Sequence, residues 1–329
     1  MCFKTNNINL KTIRIMKKEF VCFCLILLSM CIFIACGGDD ESPSNAASPR
    51  NDAISGLFQI NSKGTKVCFA PGNLQATYNG TTWNWAFSAN QWDYIGERGA
   101  NISVEANGTA STNGTIDLFG WVGESSTWTG AAQYGISSSN TVNSSYTYGN
   151  KPSEALKSDW GNTISDGYTW RTLSWSEWTY VFNTRSGSTV NGTANARYTY
   201  ATINTDDRAV NGIILFPDGI TVEGSAATWG GFNSTSWSGA YSSSPITECT
   251  SAQWSNLAAK GCVFLPAAGY RYQSSVRSEN YGCYYWSSSS NPSEVYYAYA
   301  VVFDSYYLSP AKKQTRPDGC SVRLVREVE

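Results

Sequence analysis

Five cysteines, Cys68, Cys249, Cys262, Cys283 and Cys320, are the most reactive side chains in the body of this sequence, and the chain contains no histidine. A Ser-His-Asp triad, a Cys-His dyad and histidine-ligated zinc are therefore excluded. No C-x-x-C spacing occurs among the five, so neither a zinc knuckle nor a thioredoxin-like motif is indicated. Their odd number leaves at least one thiol free. Cys283 and Cys320 each follow a glycine and open an aromatic or β-branched run, GCYYW and GCSVRLV. Either they pair, if those runs are neighbours, or they are buried free thiols.

Glycoside hydrolysis needs two carboxylates facing each other across a cleft. Asp93, Asp117 and Asp159 lie beside Trp or Leu, and Asp206 and Asp207 sit in the polar run NTDDRAVNG. Glu177 is read as a helix cap. None of these makes a pair by spacing, and the expectation is a protein that is not an enzyme and uses no cofactor or metal.

The unusual chemical resource is tyrosine. Residues 281–310, YGCYYWSSSSNPSEVYYAYAVVFDSYYLSP, hold eight of the chain's 20 tyrosines. Tyr supplies a large rigid contact area at low entropic cost, with Ser and Asn as adaptable hydrogen-bonding neighbours. Only 15% of the 329 residues are charged and the formal net charge is −2, which argues against nucleic acid as a partner. The abundant Ser, Thr, Asn and Gly favour turns and short strands, and Trp and Tyr favour strands.

An address precedes the fold. MKKEF at 16–20 is followed by the apolar run VCFCLILLSMCIFIA and then Cys36. A basic start, a short apolar run and a small residue before the cut form a secretory signal, and the run is shorter than the ~20 residues of a membrane span. Residues 1–35 are expected to be this signal, with Met16 as the true start. FIAC resembles a bacterial lipobox with Cys36 as lipid acceptor, although Phe33 stands where Leu is usual. Residues 36–56 are expected to be a tether. Asp39, Asp40 and Glu41 resemble the surface-export signal of Bacteroides-type lipoproteins, or simply keep the tether solvated. The expected location is the outer membrane, surface-exposed, with the periplasmic face as the alternative and the lipid as the sole membrane contact.

The rest of the chain, 57–329, is expected to be one domain. GLFQI, KVCFAPGNLQATY and TTWNWAFS read as strands, with a hairpin at Asn79-Gly80. Residues 97–116 and 122–150 read as long surface loops. Ser174 with Glu177, and Thr250 with Gln253, have capping-box spacing and predict helices in 170–185 and 250–261. GIILFPDG, CVFLPAAGYR, CYYWSSS, VYYAYAVVFD and CSVRLVRE read as further strands.

Those segments, in that order, resemble known proteins. WRTLSWSEWTYV resembles a helix start of the formylglycine-generating, sulfatase-modifying-factor fold. FLPAAGYR, YYWSSS and the closing R-x-x-G-x-SVRLV resemble lipoprotein paralogues of Bacteroidetes and Fibrobacter and C-type-lectin-fold proteins diversified by retroelements. The resemblance spans 57–329 and is best at 170–182, 212–219, 262–271 and 283–325. It implies an α+β, C-type-lectin-like fold that is β-rich, with two short helices and long loops. Its first and last strands, Val67 to Phe69 and Ser321 to Val325, would pair. Arg316 and Arg323 would stabilise the fold. No close cysteine pair matches the enzyme's arrangement. RPDG and NPSE echo calcium-lectin motifs, but no WND follows, and Asp318 reads as a turn residue.

In the diversified proteins the last strands and their loops build a variable face. That implies non-covalent binding of a glycan or protein at the cell surface, or a structural or adhesin subunit; formylglycine-type chemistry is the remaining alternative. The residues expected on such a face are Tyr281, Asn291, Glu294, Tyr296, Tyr297, Tyr299, Asp304, Tyr306 and Tyr307. Trp286, Val301 and Phe303 are expected in the core. Tyr297 and Tyr299 share the strand face of Val301 and Phe303.

Overall fold

A computed structural model describes residues 53–96, 104, 108–110, 112–138, 148–223, 247–304 and 307–328. All belong to one compact unit, Ala47–Glu329. The expected signal peptide, Cys36 and Tyr306 lie outside the described residues.

The first strands are β1 (Phe58–Gln59), β2 (Lys66–Phe69), β3 (Leu74–Tyr78), β4 (Trp83–Phe87) and β5 (Gly114–Ile116). Helix α1 (Trp175–Asn183) follows, then β6 (Ser188–Val190), β7 (Thr193–Ala196), β8 (Tyr198–Asn204), β9 (Ala209–Leu215), β10 (Thr221–Val222) and β11 (Thr247–Thr250). Helix α2 (Ser251–Ala259) leads to β12 (Val263–Pro266), β13 (Tyr270–Tyr272), β14 (Ser275–Arg277), β15 (Cys283–Ser290), β16 (Tyr297–Phe303), β17 (Leu308–Thr315) and β18 (Val325–Val328). The fold is α+β and strongly β-rich.

The strands form sheets in the orders β1-β2-β18, β4-β3-β5, β10-β6-β7, β11-β8-β9-β12, β13-β14 and β15-β16-β17. The two strands expected to close the domain do pair, as β2 and β18, but β18 begins four residues later than expected: Val325 faces Phe69 and Val328 faces Lys66. Residues 321–324 instead lie outside any named strand within the core, with Val322 and Leu324 fully buried.

Both helices begin as their spacing predicts. Ser174 Oγ accepts from the Glu177 N–H at 3.3 Å, and the Glu177 carboxylate accepts from the Ser174 N–H at 2.8 Å. Thr250 and Gln253 do the same at 3.2 and 2.8 Å. Each box satisfies donors that a helix start leaves orphaned. In α1, Trp178, Val181 and Phe182 are buried one helical turn apart; in α2, Trp254 and Leu257 are. Gly261 stops α2 at φ +82°, where a Cβ would come within 2.4 Å of the Gly56 Cα.

The segments read as surface loops are partly interior. Residues 114–116 extend the β3 sheet, and Val122, Trp128, Ala132 and Tyr148 form a small buried cluster. Trp128 and Tyr148 meet at 4.4 Å. Isolated aromatics in a Gly/Ser/Asn-rich run give no periodic signal, so composition alone points to solvent.

The core arginines carry much of the internal bonding. Arg185 pairs with Asp218 at 2.7 Å and Arg316 pairs with Glu154. Arg323 donates to Asn73 Oδ1, Gln91 Oε1 and the Phe264 carbonyl. Burial pulls its guanidinium down to about 10.

Candidate functional site

β8 and β9 form a full antiparallel ladder from Tyr198↔Leu215 to Asn204↔Ala209. Within it Ala201 faces Gly212 and Thr202 faces Asn211. Gly212 has no room for a side chain, since a Cβ would lie 2.4 Å from the Leu265 carbonyl oxygen. The Ala267 N–H donates to the Asn211 carbonyl at 2.7 Å and holds the chain after β12 against this ladder.

The next segment, 278–282, is fixed by Asn280. Its N–H donates to the Ala267 carbonyl at 2.8 Å, and its side-chain amide donates to the Ala209 carbonyl at 3.1 Å. Its Oδ1 accepts from the Asn211 N–H at 2.7 Å, and its carbonyl accepts from Asn211 Nδ2 at 2.8 Å. Ser278 and Asn280 both have left-handed backbones, at φ +57° and +56°. Such conformations cost ~1 kcal/mol or more each. The bonds to Asn211 offset that cost and fix the chain on which Tyr281 stands. Tyr281 is 56% exposed.

The third wall is the end of β16. Phe303 faces Cys283 of β15 and Leu308 of β17. The Asp304 N–H donates to the Tyr307 carbonyl at 2.8 Å, closing the β16–β17 hairpin. The rings of Tyr200 and Phe303 meet edge to face at 6.4 Å.

These walls enclose a groove of about 90 Å³ lined by Tyr200, Ala201, Asn211, Gly212, Ala267, Tyr281, Phe303 and Asp304. Three rings and one carboxylate dominate its chemistry, and among the described residues its lining includes no Lys or Arg. Burial, with smaller contributions from Tyr198 and the Asp304 charge, holds the Tyr200 phenol far above its ordinary value of 10.0. It is an O–H donor at any physiological pH. The Asn211 amide is engaged on both sides, donating to Asn280 and accepting from Thr202 Oγ1 at 2.7 Å.

A family model described as "Domain of unknown function" (DUF8237) matches residues 239–325. The matched span contains Ala267, Tyr281, Phe303 and Asp304; the β8 and β9 residues of the groove precede it. No curated protein matches the chain, and no solved structure does.

Of the residues expected on a binding face, the groove gathers Tyr281 and Asp304. Others gather at the opposite end of β16, about 20 Å away at roughly 3.4 Å per residue. There the ring of Trp175, a residue 41% exposed, meets that of half-buried Tyr299 at 5.5 Å, tilted by 42°. Tyr297 is half-buried beside them in the strand, Tyr296 is exposed, and Glu294 pairs with Lys313. Asn291, expected to be exposed, is 1% exposed. Its Oδ1 accepts from the Ser293 and Glu294 N–H groups, both at 2.9 Å, which makes it a turn cap. Tyr307 is half-buried and packs on the core, with Lys312 over its ring at 5.6 Å.

Sequence reasoning missed Tyr200, Asn211 and Asn280 and assigned Phe303 to the core alone. The alternating run YTYATIN and the Asn before Tyr281-Gly282 were the available signals.

The thiols are structural. All five described cysteines are free and buried. The Tyr285↔Ser321 bridge sets Cys320 beside Tyr284, one residue out of step with Cys283. Successive strand residues point to opposite faces, and the two thiols duly lie in different core clusters. Of the two alternatives for Cys283 and Cys320, the structure has two separate buried thiols, each pushed well above its ordinary value by burial.

The carboxylates are equally occupied. Asp117 accepts from the Ile95 N–H at 2.8 Å, Asp93 from the Asn90 N–H at 2.7 Å, and Asp159 from the Gly161 N–H at 2.8 Å. Glu177 caps α1 and binds Arg171 through both oxygens at 2.8 and 2.9 Å. Asp318 accepts from Thr315 and Gln314 within its own turn. Among the described residues no group of three or more Cys, Asp or Glu is placed to hold a metal ion, and no helix is long and apolar enough to cross a membrane.

Proposed function

We propose that this chain is a lipid-anchored, surface-exposed outer-membrane protein whose C-type-lectin-like domain binds a glycan without chemical turnover. The observation that carries this reading is the groove between Tyr200, Tyr281 and Phe303, with Asp304 at its wall. Flat aromatic faces stack on the C–H faces of sugar rings, and a carboxylate beside a protonated phenol satisfies hydroxyls as acceptor and donor. A single carboxylate among the described lining residues supports binding over glycoside hydrolysis, which needs two. Incubating the purified protein and Tyr281→Ala on an array of neutral and acidic glycans tests this. Wild type should bind a defined subset and the variant should lose it; failure of the wild type to bind any glycan would remove the reading.

A second reading, docking of a protein partner as in an adhesin assembly, is favoured by exposed Trp175, packed against Tyr299, beside exposed Tyr296. Aromatic anchors of this kind dominate protein interfaces. A stoichiometric protein partner captured from cells by wild type but not by Trp175→Ala would favour it over the glycan.

A further inference from the structure

Charge and hydrogen-bonding capacity narrow the ligand of the groove further. Among the described lining residues Asp304 is the one carboxylate, and none is Lys or Arg. The Tyr200 phenol stays protonated, and the Asn211 amide is already bonded to Asn280 and Thr202. A group entering between Tyr281 and Phe303 therefore meets a carboxylate that can only accept and a phenol that can donate. A sugar hydroxyl satisfies both, because it donates and accepts. A sugar carboxylate cannot donate to Asp304 and carries the same sign of charge. At about 4 Å, like charges at a partly desolvated surface repel by enough to weaken binding about tenfold or more. The volume, about 90 Å³, suits part of one ring and not a longer segment.

We infer that the groove selects an uncharged, hydroxyl-bearing sugar unit and rejects uronic and other acidic sugars, with Asp304 as the residue that sets this discrimination. The inference rests on the glycan reading of the same groove.

The test uses matched methyl glycosides that differ only at C6: glucoside against glucuronide, galactoside against galacturonide, mannoside against mannuronide. Saturation-transfer NMR against the full protein ranks each pair, for wild type and for Asp304→Asn. In the preferred pair the neutral glycoside should bind wild type about tenfold or more tightly, and Asp304→Asn should shrink that ratio towards one. Equal binding of neutral and acidic members to wild type would overturn the charge rule while leaving the glycan reading standing. An unchanged ratio in a folded Asp304→Asn would overturn the role of Asp304. Binding of no member would remove the glycan reading and the inference with it. If Asp304→Asn does not fold, salt titration of wild type decides: the neutral-to-acidic ratio should fall as salt screens the repulsion, and a salt-independent ratio would contradict the inference.

Discussion

Asn211 and Asn280 grip each other twice: the Asn211 N–H donates to Asn280 Oδ1 at 2.7 Å, and Asn211 Nδ2 donates to the Asn280 carbonyl at 2.8 Å. They lie 69 positions apart in sequence. The pair joins β9 to the segment carrying Tyr281 and holds Asn280 in a left-handed backbone at φ +56°. Asn tolerates that conformation better than most residues, and Gly tolerates it best. The junction thereby fixes the wall of the groove that carries Tyr281.

Asn280→Ala should therefore destabilise the fold by about 2–3 kcal/mol, losing the side-chain bonds and adding left-handed strain. Asn280→Gly loses the same bonds without the strain and should cost about 1 kcal/mol less. Urea denaturation of both variants checks this; an Ala variant as stable as the Gly variant would mean that backbone strain is not stored here.

Arg185 is fully buried and pairs with Asp218 at 2.7 Å; its remaining donors reach the Val181 and Arg197 carbonyls. Burial lowers its guanidinium to about 10 despite Asp218. Asp218→Ala would leave that charge uncompensated and should cost about 3–5 kcal/mol. Asp218→Asn should cost less, because an oxygen still accepts. Denaturation midpoints at neutral pH separate the two.

Glu177 gives the acid dependence. Burial pushes its carboxyl up, but the Arg171 hydrogen bonds, the Ser174 N–H and the Arg171 charge outweigh burial and leave it below its ordinary 4.5. A lowered carboxyl stabilises the fold above its unfolded value, and that contribution is lost as pH falls through the folded value. Wild type should exceed Glu177→Gln by about 1 kcal/mol at neutral pH, with the gap closing below about pH 4. A gap constant down to pH 3 would contradict the ion-pair assignment. The partly exposed pair should also weaken modestly in high salt.

The buried thiols should be chemically silent. Burial raises Cys249 to about 11 and Cys262 to about 12, and Cys283 and Cys320 well above their ordinary 9.0. Iodoacetamide at about pH 8 should label Cys68, Cys249, Cys262, Cys283 and Cys320 slowly or not at all in the native protein, and all of them in denaturant. Rapid native labelling of Cys283 or Cys320 would reopen a role in cysteine chemistry.

Much of the scaffold was written in local sequence. Ser174-x-x-Glu177 and Thr250-x-x-Gln253 are self-contained signals, because each cap bonds within its own turn. Asn79-Gly80 was similar: Asn79 Oδ1 accepts from the Thr81 and Thr82 N–H groups and turns β3 into β4. β17, LSPAKKQT, was missed, since a proline and two lysines mask a strand whose register is set by β16. The groove was legible only in halves. Tyr281 and Asp304 stood out as exposed groups late in the chain, but Tyr200 reaches them through long-range β8–β9 and β9–β12 pairing that no spacing encodes. Asn291 misled because a polar residue in NPSE reads as surface, whereas its side chain is spent inward capping its own turn.

Ligand binding in the groove is tested most directly by calorimetric titration of the strongest array glycan into wild type, Tyr281→Ala and Trp175→Ala. The two replaced rings are both exposed, so both variants should fold, and they sit at opposite ends of β16. Tyr281→Ala should weaken binding about tenfold or more, and Trp175→Ala should leave it unchanged. Full affinity in Tyr281→Ala, with the loss confined to Trp175→Ala, would contradict the groove and place recognition on the Trp175–Tyr299 pair.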